Sequence, residues 1–510
     1  MIVDRRFIGV SAALLLLAAG LLTVHFASQA AETAPGLRVD GTPINRDPQT
    51  GNSYSHIIKQ VAPSVVNIYS SRIVRQRLYN PFVNDPFFRR FFGDQNDDGS
   101  REVVSRDNWL GSGIVVTPDG YILTANHVVE GADEIKVGLK NDSTIYSAKV
   151  IGLDPPTDVA ILKIDAKKLP SVTLGDSDQL EVGDVVLAVG NPFGIGQTVT
   201  RGIISALGRT LSDTDDTHAH YQDFIQTDAA INQGNSGGAL VDAAGRLIGI
   251  NDAMISPSGA SAGIGLAVPV NMARNVMEGF LRSGRVTRGF LGVGSQDIDP
   301  GLAKGMGAPN ADGALVTEVG DNSPAAKAGL KPGDVIIGIN DKAVTSEESL
   351  RVVVSELAPG SKAAVKIYRS GTPKTIEVTL AEQSPDLSPS QPAPRNDDGN
   401  ATPLKADALD GVEVQDLNRN IRLQLGVAQD VSGALVTRVA RASNSFEAGL
   451  RRGDIILEIN REAVANAKEA ERLCKAARTE QIVVKIWHPE SREGEIVGRV
   501  RFLSVDNTRR

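Results

Sequence analysis

The sequence predicts a mainly β protein in two parts: a β-rich segment of barrel or sandwich type, then two copies of a smaller module mixing strands and helix. Three observations carry this. Between Ile57 and about Met277, short β-type runs are broken repeatedly by Gly, Asn and Asp, and long amphipathic stretches are few. Beyond that region one block of sequence occurs twice. Cys474 is the only cysteine, so no internal disulfide can form and packing must hold the chain together.

The elements follow in order. Arg5 and Arg6 precede an apolar run from Phe7 to Phe26, and the small residues Ser28, Ala30 and Ala31 come after it. Residues 1–30 therefore read as an export signal, either cleaved or retained as an anchor, since the run is just long enough to span a bilayer. Residues 31–52 are polar and rich in Gly and Pro, a flexible lead-in. Residues 53–283 form the β-rich domain, with runs such as Ser64-Val-Val-Asn-Ile-Tyr69, Gly120-Tyr-Ile-Leu-Thr124 and Ala160-Ile-Leu-Lys-Ile164. Val270 to Leu281 reads as its closing helix. Gly313-Ala-Leu-Val-Thr317 then recurs as Gly433-Ala-Leu-Val-Thr437, 120 residues on. The same offset relates Ala328-Gly-Leu330 to Ala448-Gly-Leu450 and Gly333-Asp334 to Gly453-Asp454. A helical face of Leu350, Val353, Val354 and Leu357 matches Ala470, Leu473, Cys474 and Ala477. That places Cys474 on a core face, a buried thiol rather than a reactive one. Two copies at this spacing mean two tandem modules, residues 286–383 and 405–507, since a solenoid needs more and shorter repeats. Between them residues 384–404, dominated by Pro, Ser, Asp and Asn, form a flexible linker.

Composition removes some functions. Hydrophobic residues are 41% and charged residues 22% of the 510, as in globular chains. The net charge of −8 and pI of about 5.5 exclude nucleic acid as a partner, because that needs a basic footprint. No cofactor motif is present, and no metal site is expected: His218 and His220 share an acidic loop with no third ligand.

Hydrolysing a peptide bond without a metal takes an activated nucleophile, a base and a site for the oxyanion. In Gln233-Gly-Asn-Ser-Gly-Gly-Ala239, glycines on both sides of Ser236 permit a tight turn that aims backbone N–H groups inward. Of six histidines, His127 ends the apolar run Tyr121-Ile-Leu-Thr-Ala-Asn-His127, as a strand delivering its last side chain to a cleft would. The imidazole needs an acid to fix its tautomer, and Asp158 precedes the apolar strand Val159-Ala-Ile-Leu162. Asp154 is the competing acid, among prolines. The order His, Asp, Ser on a β-rich background is that of the chymotrypsin fold.

Leu123-Thr-Ala-Asn-His-Val-Val129, Asp158-Val-Ala-Ile-Leu162 and Thr227-Asp-Ala-Ala-Ile-Asn-Gln-Gly-Asn-Ser-Gly-Gly-Ala-Leu240 resemble the three catalytic blocks of the HtrA/Deg (Do-like) periplasmic serine proteases. The C-terminal repeats resemble the PDZ domains of that family. The resemblance implies a chymotrypsin-like double β-barrel protease domain followed by two α+β PDZ domains, and ATP-independent endopeptidase activity on unfolded or damaged proteins of the cell envelope. It implies His127, Asp158 and Ser236 as the catalytic residues, and Gly234 and Ser236, helped by Asn235, as oxyanion donors. Ile231 and Met254 align with residues walling the primary specificity pocket, which suits a small or medium aliphatic residue before the cut; ordinary core packing is the other reading of both.

A PDZ domain captures a peptide C-terminus by strand addition, with backbone N–H groups holding the carboxylate. Arg288-Gly289 followed by Phe290-Leu-Gly-Val293 matches that site in the first copy. Leu409-Asp-Gly-Val412 is its candidate in the second, where Asp410 would repel a carboxylate. Five of 13 Phe lie between Phe82 and Phe92, namely Phe82, Phe87, Phe88, Phe91 and Phe92. In the family this is a regulatory loop that contacts another subunit; packing onto its own barrel is the alternative. The resemblance further implies a homo-oligomer of trimers or their multiples in the periplasm, with contact to the membrane only through an N-terminal anchor. A chaperone scaffold for unfolded envelope proteins and a membrane-anchored stress sensor are the competing functions; an intact triad favours the enzyme, and two PDZ modules speak against the sensor.

Overall fold

The structure, a computed structural model, describes residues 37–42, 53–79, 100–140, 144–191, 196–211, 221–232, 234–254, 263–383, 409–418, 421–422, 425–427, 431–492 and 495–507. The export segment, the lead-in beyond 37–42, the Phe82–Phe92 cluster, His218, His220 and the linker lie outside these residues. Contacts divide the chain into two units, Met1–Arg209 with Phe224–Val286, and Thr210–Asp223 with Thr287–Arg510.

The first unit holds two antiparallel barrels. In the first, the strands run Val65–Tyr79, Ser100–Val115, Tyr121–Ala125, Val159–Ile164, Ile145–Asp154, Glu134–Gly138 and back to Val65–Tyr79. Alternation fills it: Val66, Ile68, Ile122, Val137, Leu162 and Ile164 point into one core. Val159–Ile164 is apolar throughout because Ala160, Leu162 and Ile164 face that core while Val159 and Ile161 are buried on its other face. The second barrel runs Val185–Gly190, Thr198–Arg209, Phe224–Thr227, Gly265–Pro269, Arg246–Met254 and Ala239–Asp242, closed by pairing of the last with the first. Thr173–Leu174 adds a short parallel edge. The closing helix spans Val270–Ser283, two residues longer than its apolar face predicts, and stops at Gly284 in the left-handed region.

The second unit contains the two repeats. Each is a sheet of five strands with a short sixth. The first copy uses Val293–Asp297, Ala314–Val319, Val335–Ile339, Lys362–Arg369 and Thr372–Thr379; the second uses Val412–Asp416, Ala434–Val439, Ile455–Ile459, Gln481–Arg492 and Glu495–Asp506. Glu347–Ser355 and Ala467–Ala476 are the matching helices, capped at their N-termini by Ser346 and Asn466. Leu350, Val353 and Val354, like Ala470, Leu473 and Cys474, are buried in the cores of their modules. Burial, with Glu471 adding charge, pushes the Cys474 thiol up to about 12, so it stays protonated.

Candidate active site

Three side chains, His127, Asp158 and Asp252, meet beside Ser236, whose hydroxyl reaches the Asp252 backbone carbonyl. His127 does not end its strand. Tyr121–Ala125 stops earlier, and Asn126–Val129 forms one helical turn that carries the imidazole. That turn is tied to the next element by Asn126 N–H donating to the Asp158 carbonyl at 2.9 Å. Asp158 follows the turn Pro155–Thr157 with a left-handed backbone, φ 53°. This uncommon conformation for a non-glycine aims its carboxylate back at His127. His127 backbone N–H donates to Asp158 Oδ1 at 2.9 Å, and its Nδ1 lies 2.6 Å from Asp158 Oδ2. Asp154, the competing acid, is buried and accepts from the Thr157 hydroxyl at 2.5 Å.

The turn that carries Ser236 comes from the second barrel but is clamped to the first. Ser112 N–H donates to the Ser236 carbonyl at 2.9 Å, and Ser112 Oγ donates to the Gly234 carbonyl at 2.8 Å. Gly237 has φ +78°, and a side chain there would collide with the Ser112 carbonyl and Thr124 Oγ1. Only glycine lets the turn seat this closely. Asn235 N–H is engaged by the Asn232 carbonyl at 3.0 Å. Its backbone is therefore not a free donor, whereas the N–H groups of Gly234 and Ser236 make no hydrogen bond among the described residues. Ser236 Oγ donates to the backbone carbonyl of Asp252 at 2.9 Å rather than to His127.

Ile231 is fully buried in the second barrel's core with Ile225, Ala229 and Ile248. Met254, half-buried, ends its strand opposite Gly265, and a Cβ at Gly265 would sit 2.8 Å from Ile231 Cδ1. The two residues thus flank one glycine.

Sequence reasoning missed Asp252. Its carboxyl Oδ1 is 3.5 Å from His127 Nδ1, and its side chain is 7% exposed. The signal was there: Asn251 and Asp252 are two consecutive polar residues in a strand otherwise built for the core. His127, Asp158 and Asp252 each offer one ligand atom within 4.8 Å of the others. The 2.6 Å separation of Nδ1 and Oδ2 is nevertheless a hydrogen-bond length, against about 3.3 Å between ligands around a tetrahedral zinc.

Residues 111–250 match the trypsin-like peptidase domain family, and residues 289–380 and 435–488 match PDZ domains. A relative from Chlamydia trachomatis serovar D, described as a probable periplasmic serine endoprotease DegP-like, is 44% identical over 80% of this chain and 78% of its own. One from Chlamydia pneumoniae with the same description is 40% identical over 90% of each chain. The chain belongs to this family. It is a serine endopeptidase of the HtrA/DegP type with two PDZ domains. Among solved structures, the HtrA-type protease AlgW with tripeptide is 41% identical and matches with a TM-score of 0.51 over 66% of this chain and 98% of that one. The same protease with decapeptide gives 0.50 at 44% identity, over 65% and 99%.

In this family member the first PDZ loop is held open by its flanks. Gly289–Phe290 pairs with Ala381–Glu382, and the Leu291 and Gly292 carbonyls accept from Ala325 and Gly320 at 2.9 and 3.0 Å. The N–H groups of Leu291 and Gly292 make no hydrogen bond among the described residues. Gly292 has φ +81°, and a side chain there would strike Ser323. Val293 opens the strand Val293–Asp297, and the Arg288 guanidinium lies over Tyr221, 4.6 Å from the ring centre. In the second copy Gly411, φ +66°, repeats the turn, its carbonyl accepting from Ala440 at 2.8 Å.

Proposed function

We propose that His127, Asp158 and Ser236 cleave peptide bonds in unfolded or damaged envelope proteins without ATP, and that the first PDZ domain receives substrate C-termini at Arg288 to Val293. The paired hydrogen bonds from His127 to Asp158, at 2.9 and 2.6 Å, support the triad best. With its proton on Nδ1 the imidazole donates to Asp158, leaving Nε2 as the base. The Ser236 hydroxyl leaves the Asp252 carbonyl, gives its proton to Nε2 and attacks the scissile carbonyl. The oxyanion takes the free N–H groups of Gly234 and Ser236. His127 then protonates the departing amine. Water repeats the sequence on the acyl-enzyme, restoring Ser236 and releasing the new carboxyl terminus. Ile231 and Met254, either side of Gly265, favour a small or medium aliphatic residue before the cut.

The reading includes export by residues 1–30 to the periplasm, where the relatives' descriptions put those proteins. It also includes assembly into trimers or their multiples. Among the described residues no helix is long and apolar enough to cross a membrane.

Digestion of casein by purified variants tests the triad. Ser236→Ala is expected to abolish cleavage, and Asp158→Asn to lower turnover by about 10⁴. Residual hydrolysis by Ser236→Ala within a few-fold of wild type contradicts the assignment of the nucleophile. If Asp154→Asn is the more damaging change, the orienting acid is wrong.

A further inference from the structure

The mechanism above uses only the backbone carbonyl of Asp252, yet its carboxyl group is the most enclosed acid of the cluster. It projects from the strand Arg246–Met254, with a carboxyl oxygen within 4.8 Å of one on Asp158. Two carboxylates in contact cannot both stay ionised in a dry site. Asp158 already accepts two N–H bonds from His127, so of the two acids Asp252 is the one placed to hold a proton. The groups facing Asp252 agree. Burial and the charge of Asp158 hold its carboxyl well above the usual range, with His127 acting in the opposite sense. Glu130, which ends the His127 turn, adds its charge at the imidazole alone.

From this geometry we infer that Asp252 is a positioning residue of the catalytic cluster. Its carboxylic acid donates to Asp158, holds that carboxylate against His127, and shares with His127 the one proton that decides whether the base is free. As pH rises, the first proton to leave comes from His127 or from Asp252. Loss from His127 gives the working form, neutral imidazole beside a neutral acid. Loss from Asp252 puts a second negative charge 3.5 Å from Nδ1 and locks the imidazole in its cationic form. The same residue therefore parks the Ser236 hydroxyl through its carbonyl and sets the base through its side chain.

The inference rests on His127 being the base, and two variants separate its parts. Asp252→Asn keeps an N–H donor for Asp158 but cannot ionise; Asp252→Ala has neither. The acid limb of kcat/KM on a chromogenic peptide is expected to rise, by up to about one pH unit, in both variants, because only His127 is then left to lose the first proton. At the plateau Ala is expected to turn over roughly tenfold slower than Asn, since only Ala leaves Asp158 without its donor. Circular dichroism melts, run on both, restrict the comparison to folded enzyme. An unmoved limb in Asp252→Asn overturns the shared proton, and equal plateaus overturn the positioning role. Ser236→Ala, assayed alongside, tests the triad by itself, so failure of that reading is distinguishable from failure of this one.

Discussion

At His127 burial and charge pull in opposite directions. Burial disfavours the imidazolium, but the hydrogen bond and charge of Asp158, with Glu130 behind it, outweigh this and push the group up to about 9. The ring side chain is 47% exposed, so substrate and solvent both reach it. The first consequence is kinetic. Below about 9 the base is mostly protonated, so kcat/KM is expected to rise about tenfold per pH unit through the neutral range. A limb centred near the ordinary 6.5 would show that the carboxylates do not act on the base as described. The second consequence is thermodynamic. A folded value raised above the unfolded one adds stability that is fully present below about 6.5 and is lost as pH climbs through about 9. His127→Gln keeps no titrating group, so its urea midpoint should approach that of wild type as pH rises from 6 to 10 (a gap that stays constant contradicts the coupling). The proposed triad could be singled out in the sequence because few candidates exist: six histidines, and a serine among glycines. The helical turn at His127 could not, since it depends on a bond from Asn126 to Asp158 across 32 positions of chain. Asp252 escaped for the same reason, since its neighbours come from the other barrel.

Elements differ in how much of their shape is local. The repeat was legible because each copy carries its own core pattern and its own caps: Ser323 and Ser443 accept from the backbone N–H three residues on in the same way. Less legible was a shift inside the repeat. The first strands, Val293–Asp297 and Val412–Asp416, are 119 residues apart while the next two strands keep 120, so the connection after the second copy's first strand is one residue longer. Local rules also explain the loop before the first of these strands. Its N–H groups at Leu291 and Gly292, unpaired among the described residues, suit a carboxylate and have no use for an amide. The first PDZ domain should therefore bind a peptide acid far more tightly than the same peptide amidated, by titration calorimetry on the full chain carrying Ser236→Ala. Gly292→Ala should abolish the difference, because the new methyl strikes Ser323 and cannot hold φ +81°. Equal affinity for acid and amide in the parent protein removes the carboxylate-binding role.

At the scale of the whole molecule, contacts between modules do what single modules cannot. Within the second unit the two PDZ copies share an apolar seam: Leu302, Ala303 and Met306 of the first pack with Val483 and Phe502 of the second. Gln296 locks the register by donating to the Phe502 carbonyl and accepting from its N–H, at 3.0 and 2.8 Å. The first barrel carries an element with no such partner among the described residues. Strands Val65–Tyr79 and Ser100–Val115 stay paired out to Tyr79 and Ser100, but pairing with the rest of the barrel ends at Ser71 on one and begins at Ile114 on the other. A two-stranded ribbon is at best marginally stable alone in water. The sequence joining the two strands contains Phe82, Phe87, Phe88, Phe91 and Phe92, in a chain where aromatics are 4%. Left in solvent these rings would invite aggregation. Against another subunit each gains roughly 1.5–3 kcal/mol, enough to hold a resting assembly and modest enough for substrate to displace. The expected assembly is a trimer or a multiple of it, with the Phe82–Phe92 segment restraining the resting enzyme. Replacing Phe87, Phe88, Phe91 and Phe92 by Ser should shift sedimentation toward smaller species and raise basal cleavage of a short peptide. A monomeric wild type removes the trimer, and a variant unchanged in both size and basal rate removes the restraint by the loop.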